Sequence, residues 1–301
     1  MTVWFVGAGP GAPDLLTVRA QRMLAAVPVV LFAGSLVPPE VLVGTRPDAR
    51  LVDTAELDLD AITGELAGAH ARGQDVVRLH SGDPSIFSAV AEQARRLDAA
   101  GVPWQIIPGV PAFAAAAAAL RQELTLPGVG QTVVLTRTSA RATPMPDGEE
   151  LARLGALRCT LVLHLAVQNV EQVTEALLPH YGADCPAAVV ARASWPDEVV
   201  LRCALGELAD RVRAAGIRRT AIIVVGKVLA HGGFRDSHLY SAGRDRRPDR
   251  DDLRPAGEER RPARDDRPAP DDWPAGDDQA PAGLARRASG DREEPRSCGG
   301  Y

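Results

Sequence analysis

Short apolar runs alternate with amphipathic stretches through the first four fifths of the chain. Residues 3–6, Val29–Phe32, residues 76–79 and Trp104–Ile107 are mostly apolar runs of four, read as buried strands. Between them, residues 17–26, 62–71 and 86–100 carry helical periodicity. Thr17 stands where an N-cap is expected, and Arg95 and Arg96 lie near the end of the third stretch, where the helix dipole favours cations. Pro108-Gly109 then turns into an alanine-rich segment over residues 112–120, a fourth helix. Short buried strands alternating with helices predict a parallel sheet covered on both faces.

After Leu126-Pro127-Gly128 the texture changes. Strands are expected over residues 132–136, 160–165, 187–191, 199–203 and Ala221–Val225, and helices over 170–178 and 205–214. The fold class is α/β: two α/β domains with a cofactor cleft between them, spanning residues 1–122 and 123–241, and then a tail.

Composition sets that tail apart. Residues 242–301 hold 15 acids, 13 arginines and 8 prolines, with no Val, Ile, Met or Phe. Such a segment cannot bury enough apolar surface to offset the entropy of ordering it, so it is expected to be disordered. Without it, the acids fall from 39 to 24 and the bases from 34 to 21, so the body is mildly acidic. That balance argues against nucleic acid or an anionic membrane as partner. No apolar run reaches the roughly 18 residues of a spanning helix, which leads us to expect a cytoplasmic protein. The four cysteines are scattered without metal-ligand spacing, and no metal is expected.

Candidate chemistry gathers at three glycine turns, each directly after a strand of the first half. The first, Gly7-Ala8-Gly9-Pro10-Gly11-Ala12-Pro13-Asp14, fits a loose dinucleotide pattern. However, two prolines and an acid precede the helix, and the second strand does not end in the acid that would hold a ribose. A nicotinamide site is therefore disfavoured. The second is His80-Ser81-Gly82-Asp83-Pro84-Ser85, and the third is Pro108-Gly109-Val110-Pro111-Ala112. Ligands of open α/β sheets collect at the carboxyl ends of strands, so three such turns favour one shared cleft.

Residues 6–18 (VGAGPGAPDLLTV), 80–87 (HSGDPSIF) and 108–120 (PGVPAFAAAAAAL) resemble the tetrapyrrole (uroporphyrinogen-III/corrin) methyltransferase family. Residues 32–37, 123–127, 131–137 and 193–198 look most like a branch of it that methylates a precorrin. Phe32 and Phe87 stand where that branch has tyrosine. The resemblance spans residues 2–241 and implies a homodimer that uses S-adenosylmethionine on a tetrapyrrole.

Carried over by position, the resemblance puts the cofactor against Pro10, Ser81, Gly82, Asp83, Ile86, Pro111 and Ala112. From the second domain it adds Leu165, Ala193, Thr220 and Ala221. An activated methyl needs mainly in-line positioning. A base would only remove a proton afterwards, and His80, Asp83 and Glu123 are candidates. The macrocycle's carboxylates call for basic side chains, with Arg137, Arg141 and Arg192 as candidates and Trp195 beside them. Another precorrin, a cobalt-bearing precorrin or uroporphyrinogen-III stays open as acceptor. So do a ribosomal-RNA or protein methyltransferase and a non-catalytic tetrapyrrole-binding protein.

Overall fold

The structure, a computed structural model, describes residues 1–138, 144–230, 234 and 236–237. The expected tail and Arg141 lie outside the described residues. The first half runs β1 (Val3–Gly7), α1 (Val18–Ala26), β2 (Val29–Phe32), β3 (Arg50–Asp53), α2 (Leu59–Ala71), β4 (Val76–His80), α3 (Val90–Ala99), β5 (Trp104–Ile107) and α4 (Ala112–Ala119). All five strands are parallel, in the order β3-β2-β4-β1-β5. Val3, Phe5, Val29, Leu31 and Val76 pack with Ile62 and Leu66 of α2 and with Ala94 and Leu97 of α3. The alternate residues Val6, Val30, Val77 and Leu79 are buried too, as a sheet covered on both faces requires.

Capping places two of the helices. The Thr17 hydroxyl accepts from the Ala20 amide at 3.1 Å, and the Asp58 carboxylate accepts from the Ala61 amide at 2.8 Å.

The second half runs β6 (Val133–Arg137), α5 (Leu151–Ala156), β7 (Thr160–His164), α6 (Val170–Tyr181), β8 (Pro186–Ala191), β9 (Val199–Ala204), α7 (Leu208–Ala214) and β10 (Ala221–Val225). Its sheet is mixed, in the order β6-β7-β10-β8-β9; only β6 and β7 pair in parallel. One face packs Leu161, Leu163, Val189 and Ile223 against α6 and α7. The other packs Val162, Ala188, Val190 and Val224 against Ala115 and Ala116 of α4 and against Leu120, which caps it. The last helix of the first half thus builds the core of the second sheet. No helix among the described residues is long and apolar enough to cross a membrane.

Two sequence expectations need correction. The helix expected over residues 86–100 begins only at Val90. Phe87 and Ala89 hold left-handed backbone (φ +52° and +53°), and the Ser88 hydroxyl donates to the carbonyls of Asp83 and Ile86, replacing the first helical turns with a loop. The stretch 205–214 divides into a 3-10 turn over Leu205–Glu207 and α7. The edge strand β3 and the short helix α5 were not expected, because β3 is largely exposed and lacks a buried alternation.

Candidate active site

The three glycine turns form one floor. The Gly9 amide donates to the Gly82 carbonyl at 3.2 Å, the Gly82 amide to the Gly9 carbonyl at 2.7 Å, and the Ala8 amide to the His80 carbonyl at 2.8 Å. Gly109 completes the floor by direct backbone packing. A Cβ on Gly7 would lie 2.5 Å from Gly109 Cα and 2.8 Å from the Gly82 carbonyl oxygen, distances no side chain tolerates. Glycine is required here by contact between backbones.

Asp83 ties the second turn to the third. One carboxylate oxygen accepts from the Gly109 amide at 2.8 Å; the other accepts from the Ser85 amide at 2.8 Å and from the Ser85 hydroxyl. Partial burial alone would raise its pKa, but the bonds from Ser85 and Gly109 outweigh it and hold the carboxyl below its ordinary value. The side chain is thereby occupied as a brace.

His80 lies under the floor, 6% exposed, its ring 5.7 Å from that of Phe5. Burial, helped by the nearby Arg78 cation, pushes its pKa down to about 3, so it is neutral at pH 7. Glu123 is exposed beyond the end of α4 and accepts from the Thr125 hydroxyl at 3.1 Å. The structure does not bring these three acid–base candidates to one point.

The second sheet meets the floor through the loop after β8. The Trp195 indole donates to the Pro10 carbonyl at 2.9 Å, and its ring lies so close over Gly11 that a Cβ there would collide with it. The Ser194 hydroxyl accepts from the Ala12 amide at 3.0 Å. Ala193 is buried against α4. Leu165 (62% exposed), Thr220 and Ala221 stand at the same end of the second sheet, where the Arg192 amide donates to the Thr220 carbonyl at 2.8 Å.

Two of the arginine candidates are engaged locally. Arg192 pairs with Asp197 at 2.8 Å, and Arg137 donates to the carbonyls of Thr138 and Pro144. Of the first-half positions, Ile86 follows the braced Asp83-Ser85 turn, Ser81 precedes Gly82, and Pro111 and Ala112 open α4.

Sequence reasoning missed three residues here. Ser194 joins the first turn, while Phe113 and His164 face each other across the two halves with ring centroids 6.4 Å apart. Backbone strain marks the region as well. Among the described residues, six of the eight non-glycine residues with positive φ stand at these loops: Phe87, Ala89, Leu165, Arg192, Ser194 and Thr220. Such outliers gather at ligand sites, yet no sequence motif announces them.

The arrangement fits a nucleotide-like cofactor that lies against bare backbone. A floor of glycines, a braced turn, and a loop from the other sheet held on the first turn provide close approach to backbone.

The family model for tetrapyrrole (corrin/porphyrin) methylases matches residues 2–209. The precorrin-4 C(11)-methyltransferase of Rhodococcus erythropolis is 61% identical over 246 residues, 82% of this chain and 99% of that protein. A solved cobalt precorrin-4 methyltransferase, a cobalamin biosynthetic enzyme, superposes with a TM-score of 0.74 at 38% identity, covering 76% of this chain and 96% of its own. The uroporphyrin-III C-methyl transferase of Thermus thermophilus, solved with S-adenosylhomocysteine, gives 0.64 at 30% identity, covering 76% of this chain and 99% of its own.

Proposed function

This chain belongs to the tetrapyrrole (corrin/porphyrin) methylase family, and from that premise we propose that it methylates precorrin-4 at carbon 11. The observation that carries the reading is the 61% identity to an enzyme of that name, over nearly all of that enzyme's length. S-adenosylmethionine is the methyl donor; bound, it supplies a methyl group already activated on a sulfonium.

The chain's own residues are left with holding and shielding. Gly7, Gly82 and Gly109 keep side chains off the floor. Asp83 fixes the second turn against the third, and Ser194 and Trp195 hold the second sheet's loop onto the first turn. These contacts serve in-line placement at roughly 3–3.5 Å and exclusion of water, which is what this reaction asks of a protein. We assign cofactor contact to Pro10, Ser81, Gly82, Asp83, Ile86, Pro111, Ala112, Leu165, Ala193, Thr220 and Ala221. In support, they stand on the glycine turns and on the end of the second sheet that meets them. We assign the macrocycle's carboxylates to Arg137, Arg141 and Arg192, with Trp195 beside them; Arg137 and Arg192 must exchange or share their local partners to serve. Neither His80 nor Asp83 is suited to take the final proton, since one is buried under the floor and the other braces the turns through both oxygens.

We also read the protein as a cytoplasmic homodimer. The thiols of Cys159, Cys185 and Cys203 are unpaired, which suits a reducing compartment, and light scattering on the purified chain tests the dimer.

The deciding experiment incubates the protein with methyl-labelled S-adenosylmethionine and enzymes that generate precorrin-4. The label is expected at carbon 11 by NMR of the product. Label at another ring carbon would overturn the position. Macrocycle binding without any transfer would make the protein a carrier.

A further inference from the structure

Three rings from distant parts of the chain meet where the two sheets join. His164 ends β7 on the same face as Val162, the face covered by α4, and so points toward the first half. Phe113, in the first turn of α4, stands edge-on to it at 6.4 Å and 73°. Phe87, from the loop before α3, lies 5.2 Å from it at 51°. Both pairs are tilted or edge-on contacts rather than a closed stack, with the His164 ring shared between the two phenylalanines.

Phe87 is 46% exposed and held at φ +52°, an expensive placement for a large apolar side chain. The chain neighbours of the three rings are Ile86, Ala112 and Leu165, all assigned to the cofactor above. Among the described residues, His164 Nε2 is buried without a hydrogen-bond partner. Burial pushes the imidazole pKa down to about 4, so all three rings are uncharged at neutral pH.

Aromatic faces carry negative charge density and attract cations that have lost water. We propose that Phe87, Phe113 and His164 form a neutral aromatic cage for the sulfonium of S-adenosylmethionine, favouring it over the neutral thioether S-adenosylhomocysteine. The cage rests on the donor assignment above. It gives a physical reason for the product to leave: transfer removes the positive charge that the rings hold.

Calorimetry on the full chain with each of the two ligands tests this without turnover. Phe87→Leu and Phe113→Leu keep apolar bulk but remove the ring. Each is expected to weaken S-adenosylmethionine by about 3- to 30-fold and S-adenosylhomocysteine by less than about twofold. Phe87→Trp keeps a ring on an exposed loop and is expected to retain the preference. Equal weakening of both ligands, or of neither, would overturn the cage, and thermal melts of each variant separate either result from misfolding. A wild-type chain that binds neither ligand would instead sink the donor assignment itself.

Discussion

The two sheets approach their common seam by different means. At the three turns of its floor the first uses glycine, Phe87 and Ala89 beyond them excepted: Gly9 and Gly82 turn at φ +71° and +70°, while Gly7 and Gly109 touch backbone to backbone. The second uses residues that carry side chains, with Leu165, Arg192, Ser194 and Thr220 at φ +50° to +68°. Left-handed backbone costs a non-glycine residue of order 1–3 kcal/mol and survives only where its surroundings hold it. Here the holders are visible: the Arg192 amide on the Thr220 carbonyl at 2.8 Å and the Ser194 amide on Glu198 at 2.7 Å. Where backbone must touch backbone no Cβ fits. Where the chain must turn and still present a side chain, strain is accepted.

The sharpest way to break that contrast is Gly7→Ala. The added methyl has no flexible neighbour to displace, only the backbone of Gly109 and Gly82. Overpacking of this kind costs typically 1–3 kcal/mol, and rigid backbone on both sides puts the expected loss near the upper end, about 3 kcal/mol. A lower melting temperature together with lost S-adenosylmethionine binding is expected. A folded variant with normal affinity would show that the three turns are not one floor.

Asp83→Asn follows in size. The variant keeps the shape, but its amide group cannot accept at both of the former oxygen positions, so a bond to Gly109 or to Ser85 is lost. Hydrogen bonds to charged groups contribute about 1.5–3 kcal/mol, and cofactor affinity measured by calorimetry is expected to fall accordingly. The pH dependence has a definite sign. Asp83 has a lowered pKa when folded, so its contribution is complete above the ordinary carboxylate value of about 4 and is lost as pH falls through the folded value. His80 acts earlier on the same acid limb. Its folded pKa is about 3 against 6.5 when unfolded, so the unfolded chain binds the extra proton and stability declines as pH drops from about 6.5 toward 3. Denaturation followed across pH should show His80→Leu flattening the upper part of that limb and Asp83→Asn only the lower part.

The same contrast explains what could be read from the sequence. Glycine turns are spelled out in the chain, so the floor at Gly7, Gly82 and Gly109 was visible as three motifs after three strands. The buried strands and the Thr17 cap were equally legible, because apolar runs and capping are local. The helix start at Val90 was not, since the Ser88 hydroxyl and two left-handed residues override an amphipathic pattern. Nor was the edge strand Arg50–Asp53, whose side chains are mostly exposed. The Phe87–His164–Phe113 cluster depends on three segments meeting in space, and no spacing in the chain encodes it.

Trp195→Phe sharpens the contrast from the other side, with a smaller effect. Phenylalanine retains a ring over Gly11 but loses the indole donor to the Pro10 carbonyl. A neutral hydrogen bond contributes about 1 kcal/mol, so chemical denaturation should report a loss of about that size. No loss would mean that the loop is held by Ser194 and packing alone.

The smallest expected effect has the opposite sign. Thr220 is β-branched and sits at φ +53°, where such residues are rare. At an ordinary position glycine is less stable than alanine, because the unfolded chain gains freedom worth about 0.4–1 kcal/mol. At position 220 the order should invert: Thr220→Ala keeps a Cβ and its strain, whereas Thr220→Gly relieves it. Glycine should therefore exceed alanine by about 0.5–1 kcal/mol in equilibrium unfolding, the net of relieved strain and unfolded-state entropy. The bond from the Arg192 amide to the position-220 carbonyl involves only backbone and is available to both variants. If alanine proves equal or better, residue 220 is not strained, and the second sheet reaches the seam as cheaply as the first.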